Sequence, residues 1–159
     1  MCFWKNLAKF VGMKQSIDFL PERKQRDLHE LVGLIRDEVK DVVMIILYGS
    51  YARNTYVELD IRRDYGGGKI QYMSDYDILV VSKKRLGSRT VTVSSRVKSS
   101  FLKNKNADTQ TRPQIINESI TKFNNALSEG RYFYVDILTE GIVLYDSGEC
   151  QLATPCELN

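Results

Sequence analysis

Between Pro21 and Lys40 the apolar residues Leu28, Leu31, Val32, Ile35 and Val39 recur at helical spacing. That stretch predicts an amphipathic helix, and Pro21 followed by Glu22 suits its first turn. The pattern then changes. "DVVMIILYG", residues 41–49, is a continuous apolar run with β-branched members, which predicts a short strand buried on both faces. It stops at Gly49, and "SYARNTYV" reads as a short helix with Ser50 at its N-cap. Residues 57–74 carry β-formers on each side of Gly66, Gly67 and Gly68, the pattern of a hairpin whose tip needs positive φ. A phosphate-loop reading of these glycines fails, because the Walker spacing is absent and Ile70 follows Lys69.

"SDYDILVVS", residues 74–82, predicts a second buried strand, and "RPQIIN", residues 112–117, a third. "ESITKFNNALSEG" predicts a helix closed by Gly130. "RYFYVDILTEG" fits helix or strand, and "IVLYDSG" suggests a last strand and turn. The fold class expected is α/β (α+β): a small mixed central sheet with flanking helices and an inserted β-hairpin.

Length and composition narrow this to one compact domain with tails: 159 residues, 43% of them hydrophobic. The division expected is an N-terminal extension over 1–12, a domain over 13–148 and a polar linker or tail over 149–159. In the extension, Phe3, Leu7, Phe10 and Val11 share a possible helical face, which suits an added helix or a surface-binding amphipathic one but is too short to span a membrane. A net charge of +3 is weak for a dedicated nucleic-acid binder. The local balance is different: from Asp77 to Asp108 there is no acid, while Lys83, Lys84, Arg85, Arg89, Arg96, Lys98, Lys103 and Lys105 accumulate, as a solvated face or as a surface for phosphates. Cys2, Cys150 and Cys156 sit at the ends and form neither a disulfide framework nor a zinc pattern, which points to a reducing, cytoplasmic setting. His29, the only histidine, reads as a surface residue.

The chemistry gathers at Asp75 and Asp77. Separated by two on a strand, both carboxylates point to one face, which Leu79 and Val81 continue, while Tyr76, Ile78 and Val80 take the other. Carboxylates at the mouth of an apolar strand are costly to desolvate without a compensating cation or donor, so the pair suits divalent-cation binding. The plainer alternative is that both are turn residues ending the hairpin.

Taken in order, "GSYAR" and "SDYD", each bordering a buried strand, resemble the nucleotidyltransferase superfamily that includes DNA polymerase beta, in the minimal branch fused to or paired with HEPN domains. The resemblance covers Met13 to about Ser147. It implies that Gly49 and Ser50 hold the triphosphate of an NTP, most naturally ATP, with Arg53 and Ser74 also beside the nucleotide, Arg53 either bonding a phosphate or pairing with a neighbouring carboxylate, and that Asp75 and Asp77 bind one or two Mg²⁺ ions. The implied activity is transfer of a nucleoside monophosphate to a hydroxyl of an acceptor. Members that catalyse transfer usually carry a third acid on a later strand; Glu118 is the candidate here, and Asp136 the alternative if "YFYVDIL" is a strand. The family commonly has glycine after the motif arginine where this chain has Asn54, a residue that tolerates the left-handed turn. The partners implied are the NTP and a HEPN domain; no membrane is expected and nucleic acid is not favoured. The alternative readings are an antitoxin-like module that binds a HEPN partner, with or without transfer, and an aminoglycoside nucleotidyltransferase, whose polycationic substrate would need an acidic pocket. The HEPN half is absent from these 159 residues, so the chain is expected to be a truncated or stand-alone version.

Overall fold

The structure, a computed structural model, describes residues 13–155; the expectations for residues 1–12, Cys2 and Cys156 lie outside them. Helix α1 (Glu22–Glu38) buries Leu28, Leu31 and Ile35, the stripe its spacing predicted. Strand β1 (Val42–Tyr48) follows and runs into a five-residue helix, α2 (Gly49–Arg53). Strands β2 (Asp60–Arg63) and β3 (Lys69–Tyr72) form the inserted hairpin, and β4 (Tyr76–Ser82) re-enters the core. Helix α3 (Arg89–Leu102), strand β5 (Pro113–Ser119), helices α4 (Ile120–Ser128) and α5 (Tyr132–Glu140) and strand β6 (Ile142–Asp146) complete the chain. The segment whose periodicity fitted helix or strand is thus a helix.

The four long strands make one mixed sheet in the order β5-β4-β1-β6, with β4 and β5 parallel and β1 antiparallel to both its neighbours. Strand alternation divides the core. Ile45, Leu47, Tyr76, Ile78 and Val80 pack on one face against α1 and α3, while Val43, Ile46, Leu79 and Val81 pack on the other against Phe123 and Leu127 of α4 and Ile137 and Leu138 of α5. Burial on both faces is what makes β1 and β4 continuous apolar runs.

The basic run covers α3, anchored by Val93, Val97 and Phe101, and the loops on either side of it. Part of its charge is matched by surface acids: Arg96 meets Glu38 at 3.5 Å, Lys105 meets Glu30 at 2.9 Å, and Lys83 meets Glu149 at 2.7 Å. Residues expected as a leaving tail also return to the sheet. Cys150, Leu152 and Ala153 pack on the face covered by α4 and α5, where the Asn124 amide donates to the Gln151 carbonyl (3.0 Å) and accepts from the Ala153 N–H (2.8 Å). No helix among the described residues is long and apolar enough to cross a membrane.

The hairpin stands apart from this sheet. Its tip is set by Asp64, whose Oδ1 accepts from the N–H groups of Gly66 (2.9 Å) and Gly68 (2.6 Å), while Gly67 takes φ +81°.

Candidate active site

The site is assembled where β1 ends and β4 begins. Register pairs Tyr48 with Asp77 across the two antiparallel strands, so the residue before Gly49 is the direct neighbour of the second aspartate. Gly49 takes φ +74°, and a Cβ there would overlap Asp77 Oδ2 and lie 3.1 Å from its Cγ. Glycine is therefore required twice, for the turn and for the close approach of backbone to carboxylate. The chain leaves α2 through Asn54 at φ 58°, ψ 38°, the left-handed conformation in which asparagine stands in for glycine.

One expectation is corrected at this turn. Ser50 is not the N-cap of α2: the helix opens at Gly49, its cap position is Tyr48, and no side chain makes a capping bond. Because the Gly49 turn starts the helix one residue early, Ser50 falls in the first turn, where its carbonyl accepts from the Thr55 N–H at 2.9 Å.

Asp77, on β4, is half-buried; Asp75 is exposed and precedes the strand, which opens at Tyr76, so strand alternation does not set its direction, although its charge is felt at Asp77. Burial, then the neighbouring Asp75 charge, push the Asp77 carboxyl above the usual carboxylate range, and Arg53 opposes them. Tyr48 feels the same environment: burial and the Asp77 charge raise its phenol to about 12. Arg53 forms an ion pair with Glu140 at the end of α5, 3.3 Å, with both side chains nearly half exposed. Such a pair contributes little and can be exchanged for another anion at small cost.

Beneath the two motifs, on the opposite face of the sheet, lies a buried polar network. The Tyr76 hydroxyl, between the two aspartates in sequence, donates to Asp27 Oδ2 at 2.7 Å, and Gln110 Nε2 donates to the same oxygen at 2.9 Å. Lys24, 2% exposed, donates to Thr111 Oγ1 at 2.7 Å, and the Tyr51 hydroxyl lies 3.1 Å from that oxygen. The Lys24 ammonium sits 5.3 Å from the Tyr51 ring and 5.7 Å from the Tyr76 ring, a cation–π arrangement that offsets part of its desolvation. Burial nonetheless lowers the Lys24 pKa. Since Tyr51 follows Ser50 and Tyr76 separates Asp75 from Asp77, the network fixes both motifs from below.

The remaining sequence candidates are placed elsewhere. Ser74 is buried and clasps the hairpin base: its Oγ accepts from the Val57 N–H and its own N–H donates to the Val57 carbonyl, both at 2.9 Å. Glu118 shares the face of Asp77, but in the parallel pairing Asp77 lies beside Gln114 and Glu118 beside Val81. Four residues further along the strand is about 13 Å. There the Glu118 carboxylate accepts from the Tyr134 hydroxyl at 3.2 Å and meets Lys122 at 3.7 Å. Asp136 is exposed on α5, a helix and not the strand its candidacy required. His29 is exposed on α1, as expected. Three residues at the site were not singled out from sequence: Tyr48, Gln114 and Glu140. Tyr48 was open to discovery, since it directly precedes the Gly-Ser break; the other two arrive through pairing and packing.

The described residues contain no group of three His, Cys, Asp or Glu side chains that could hold a metal. The donor set is the aspartate pair. It fits Mg²⁺, which keeps several waters and is commonly bound through one or two carboxylates together with substrate phosphates. The raised Asp77 pKa points the same way, since a cation would compensate the burial, and then the Asp75 repulsion, that raise it.

No protein-family model and no curated protein sequence matches the chain. Among solved structures, it is similar to a chain of the complex of tri-AMPylated Shewanella oneidensis HEPN toxin with MNT antitoxin, with 16% identity and a TM-score of 0.45, covering 79% of this chain and 75% of that one. It is also similar to a Sulfolobus solfataricus protein described as a candidate nucleotidyltransferase, with 16% identity and a TM-score of 0.43, covering 86% of this chain and 93% of that one. The functional reading rests on the side chains of this chain.

Proposed function

We propose that the site binds a nucleoside triphosphate with Mg²⁺ and transfers the nucleoside monophosphate to an acceptor hydroxyl. The observation that carries this is the seating of the Gly49 turn directly on the Asp77 carboxylate, with the Asp75 charge close enough to be felt there. A backbone turn and a carboxylate pair held this close suit a ligand that is both polyanionic and metal-bound.

In this reading Asp75 and Asp77 hold the ion, which when bound offsets the charge of the triphosphate and of the departing pyrophosphate. The first N–H groups of α2 have no acceptor inside the helix and face the phosphates. Arg53 exchanges Glu140 for a phosphate oxygen, a stronger charge-assisted contact. In the transfer, the acceptor oxygen bonds to the α-phosphorus, the bond to pyrophosphate breaks, and the hydroxyl proton leaves to solvent or a nearby base. Tyr76 and Tyr51, tied to Asp27 and Thr111, keep the two motifs in register.

A second reading is favoured by a specific observation. Among the described residues no third carboxylate joins the aspartates, and the side chain next to Asp77 on β5 is the amide of Gln114. A module that recognises a HEPN partner, using nucleotide binding with or without transfer, needs no such group. One experiment addresses both. The chain is incubated with Mg²⁺ and ATP labelled on the α-phosphate, alone and with a HEPN protein, and binding and label transfer are measured. Binding with transfer supports the enzyme, binding without transfer supports the module, and undiminished ATP binding by the Asp75→Ala, Asp77→Ala double variant would sink the site assignment.

A further inference from the structure

Helix α5 runs along the wall of the site. At one end Glu140 meets Arg53 of α2. Two turns earlier, on the same side of the helix, Phe133 packs edge-to-face on Tyr48, with ring centroids 5.9 Å apart and planes at 85°. Phe133 also leans on Tyr134, 5.3 Å between centroids, and is still 48% exposed. Its ring thus touches two aromatics and still presents about half of its residue's surface to solvent. Tyr48 fixes where this open ring lies, since it is bonded to Gly49 and is the cross-strand partner of Asp77. The rise from Phe133 to Glu140 is about 10 Å, a length comparable with that of a nucleoside triphosphate.

We propose that Phe133, braced by Tyr48, is the stacking platform for the base of the nucleotide whose phosphates lie at Gly49–Arg53. This rests on the reading of that turn as a phosphate site. An exposed phenyl ring held rigid by neighbouring rings offers a base its π-face at little entropic cost, and stacking of this kind tolerates any base. The aromatic end of α5 takes the base and the Arg53 end takes the phosphates, so the helix measures the ligand.

The test uses the whole chain and two ligands, ATP and inorganic tripolyphosphate, each with Mg²⁺, titrated by calorimetry. ATP is expected to bind about tenfold more tightly than tripolyphosphate, the contribution of one stacked base. Phe133→Ala removes that advantage and leaves tripolyphosphate binding unchanged. Phe133→Trp restores it, and the new indole emission is quenched by ATP and not by tripolyphosphate. Thermal unfolding of both variants verifies the fold. If Phe133→Ala leaves ATP affinity unchanged, or weakens both ligands equally, the platform is refuted while the phosphate site stands. If Phe133→Ala instead weakens self-association or HEPN binding with ATP untouched, the ring belongs to a protein interface and the proposal fails. Should the unaltered chain bind neither ligand, the phosphate reading falls and the platform with it.

Discussion

Asp77 and Glu118 project from the same face of two adjacent parallel strands, yet their surroundings are opposite. Glu118 lies at the far end, 7% exposed, supplied with the Tyr134 hydroxyl and the Lys122 ammonium. Asp77 lies at the mouth beside a second carboxylate, and no side-chain hydrogen bond among the described residues reaches it. A carboxylate that the protein itself satisfies is part of the structure; one that it crowds with a like charge is prepared for something from outside. The difference teaches that alternation along a strand chooses the face, whereas register chooses the end, and only the end decides whether an acid is structural or available.

The comparison breaks most visibly through Asp77→Asn, which removes charge without changing shape. Loss of a metal-binding carboxylate is expected to lower nucleotide transfer or Mg²⁺-dependent binding by at least roughly 100-fold. Unfolding temperature should hold or rise, since the like-charge repulsion is relieved; a marked fall in a calorimetric scan would show that Asp77 is structural after all. Glu118→Ala should do the reverse. It leaves the Tyr134 hydroxyl and Lys122 without their partner and is expected to cost about 1–3 kcal/mol in a denaturant titration, with ATP affinity within about twofold of the unaltered chain.

Gly49→Ala tests the contact that joins the two halves of the site. The left-handed backbone alone costs about 1–2 kcal/mol, and the added methyl displaces the Asp77 carboxylate. Both stability and Mg²⁺–ATP affinity should therefore fall together, unlike either preceding variant. The smallest effect is expected at the hairpin tip, where Tyr65 is fully exposed. Tyr65→Ser should change stability by less than about 0.5 kcal/mol and leave nucleotide binding alone; a loss of HEPN or acceptor affinity would mark the hairpin as a recognition arm.

Much of this was open to reading along the chain, for identifiable reasons. β1 and β4 declare themselves because a strand covered on both faces must be apolar throughout. The hairpin does so because Gly67 needs a positive φ, and the facing of Asp77 follows from alternation along β4. Helix α3 was hidden within a run of cations, its anchors Val93, Val97 and Phe101 diluted by Ser, Thr and Val residues of modest helix propensity. The α5 segment resisted assignment because its aromatic and aliphatic residues suit either period, and packing against β1 and α4 settled it. Glu118 satisfied parity and failed on register, a property of two strands that neither sequence contains. Gln114, beside Asp77, was invisible for the same reason.

The clasp between Ser74 and Val57 bears on how this chain could be rebuilt. Two hydrogen bonds close the neck of the hairpin, so the sixteen positions between them are topologically a side branch, sealed off from the strands that carry Gly49 and Asp77. Lengthening such a branch costs little, since closure entropy grows only with the logarithm of its size. The neck is accordingly a natural grafting point: a fluorophore-binding peptide or an affinity epitope exchanged for residues 60–72 would report from within a few residues of the aspartates while leaving the sheet that positions them intact.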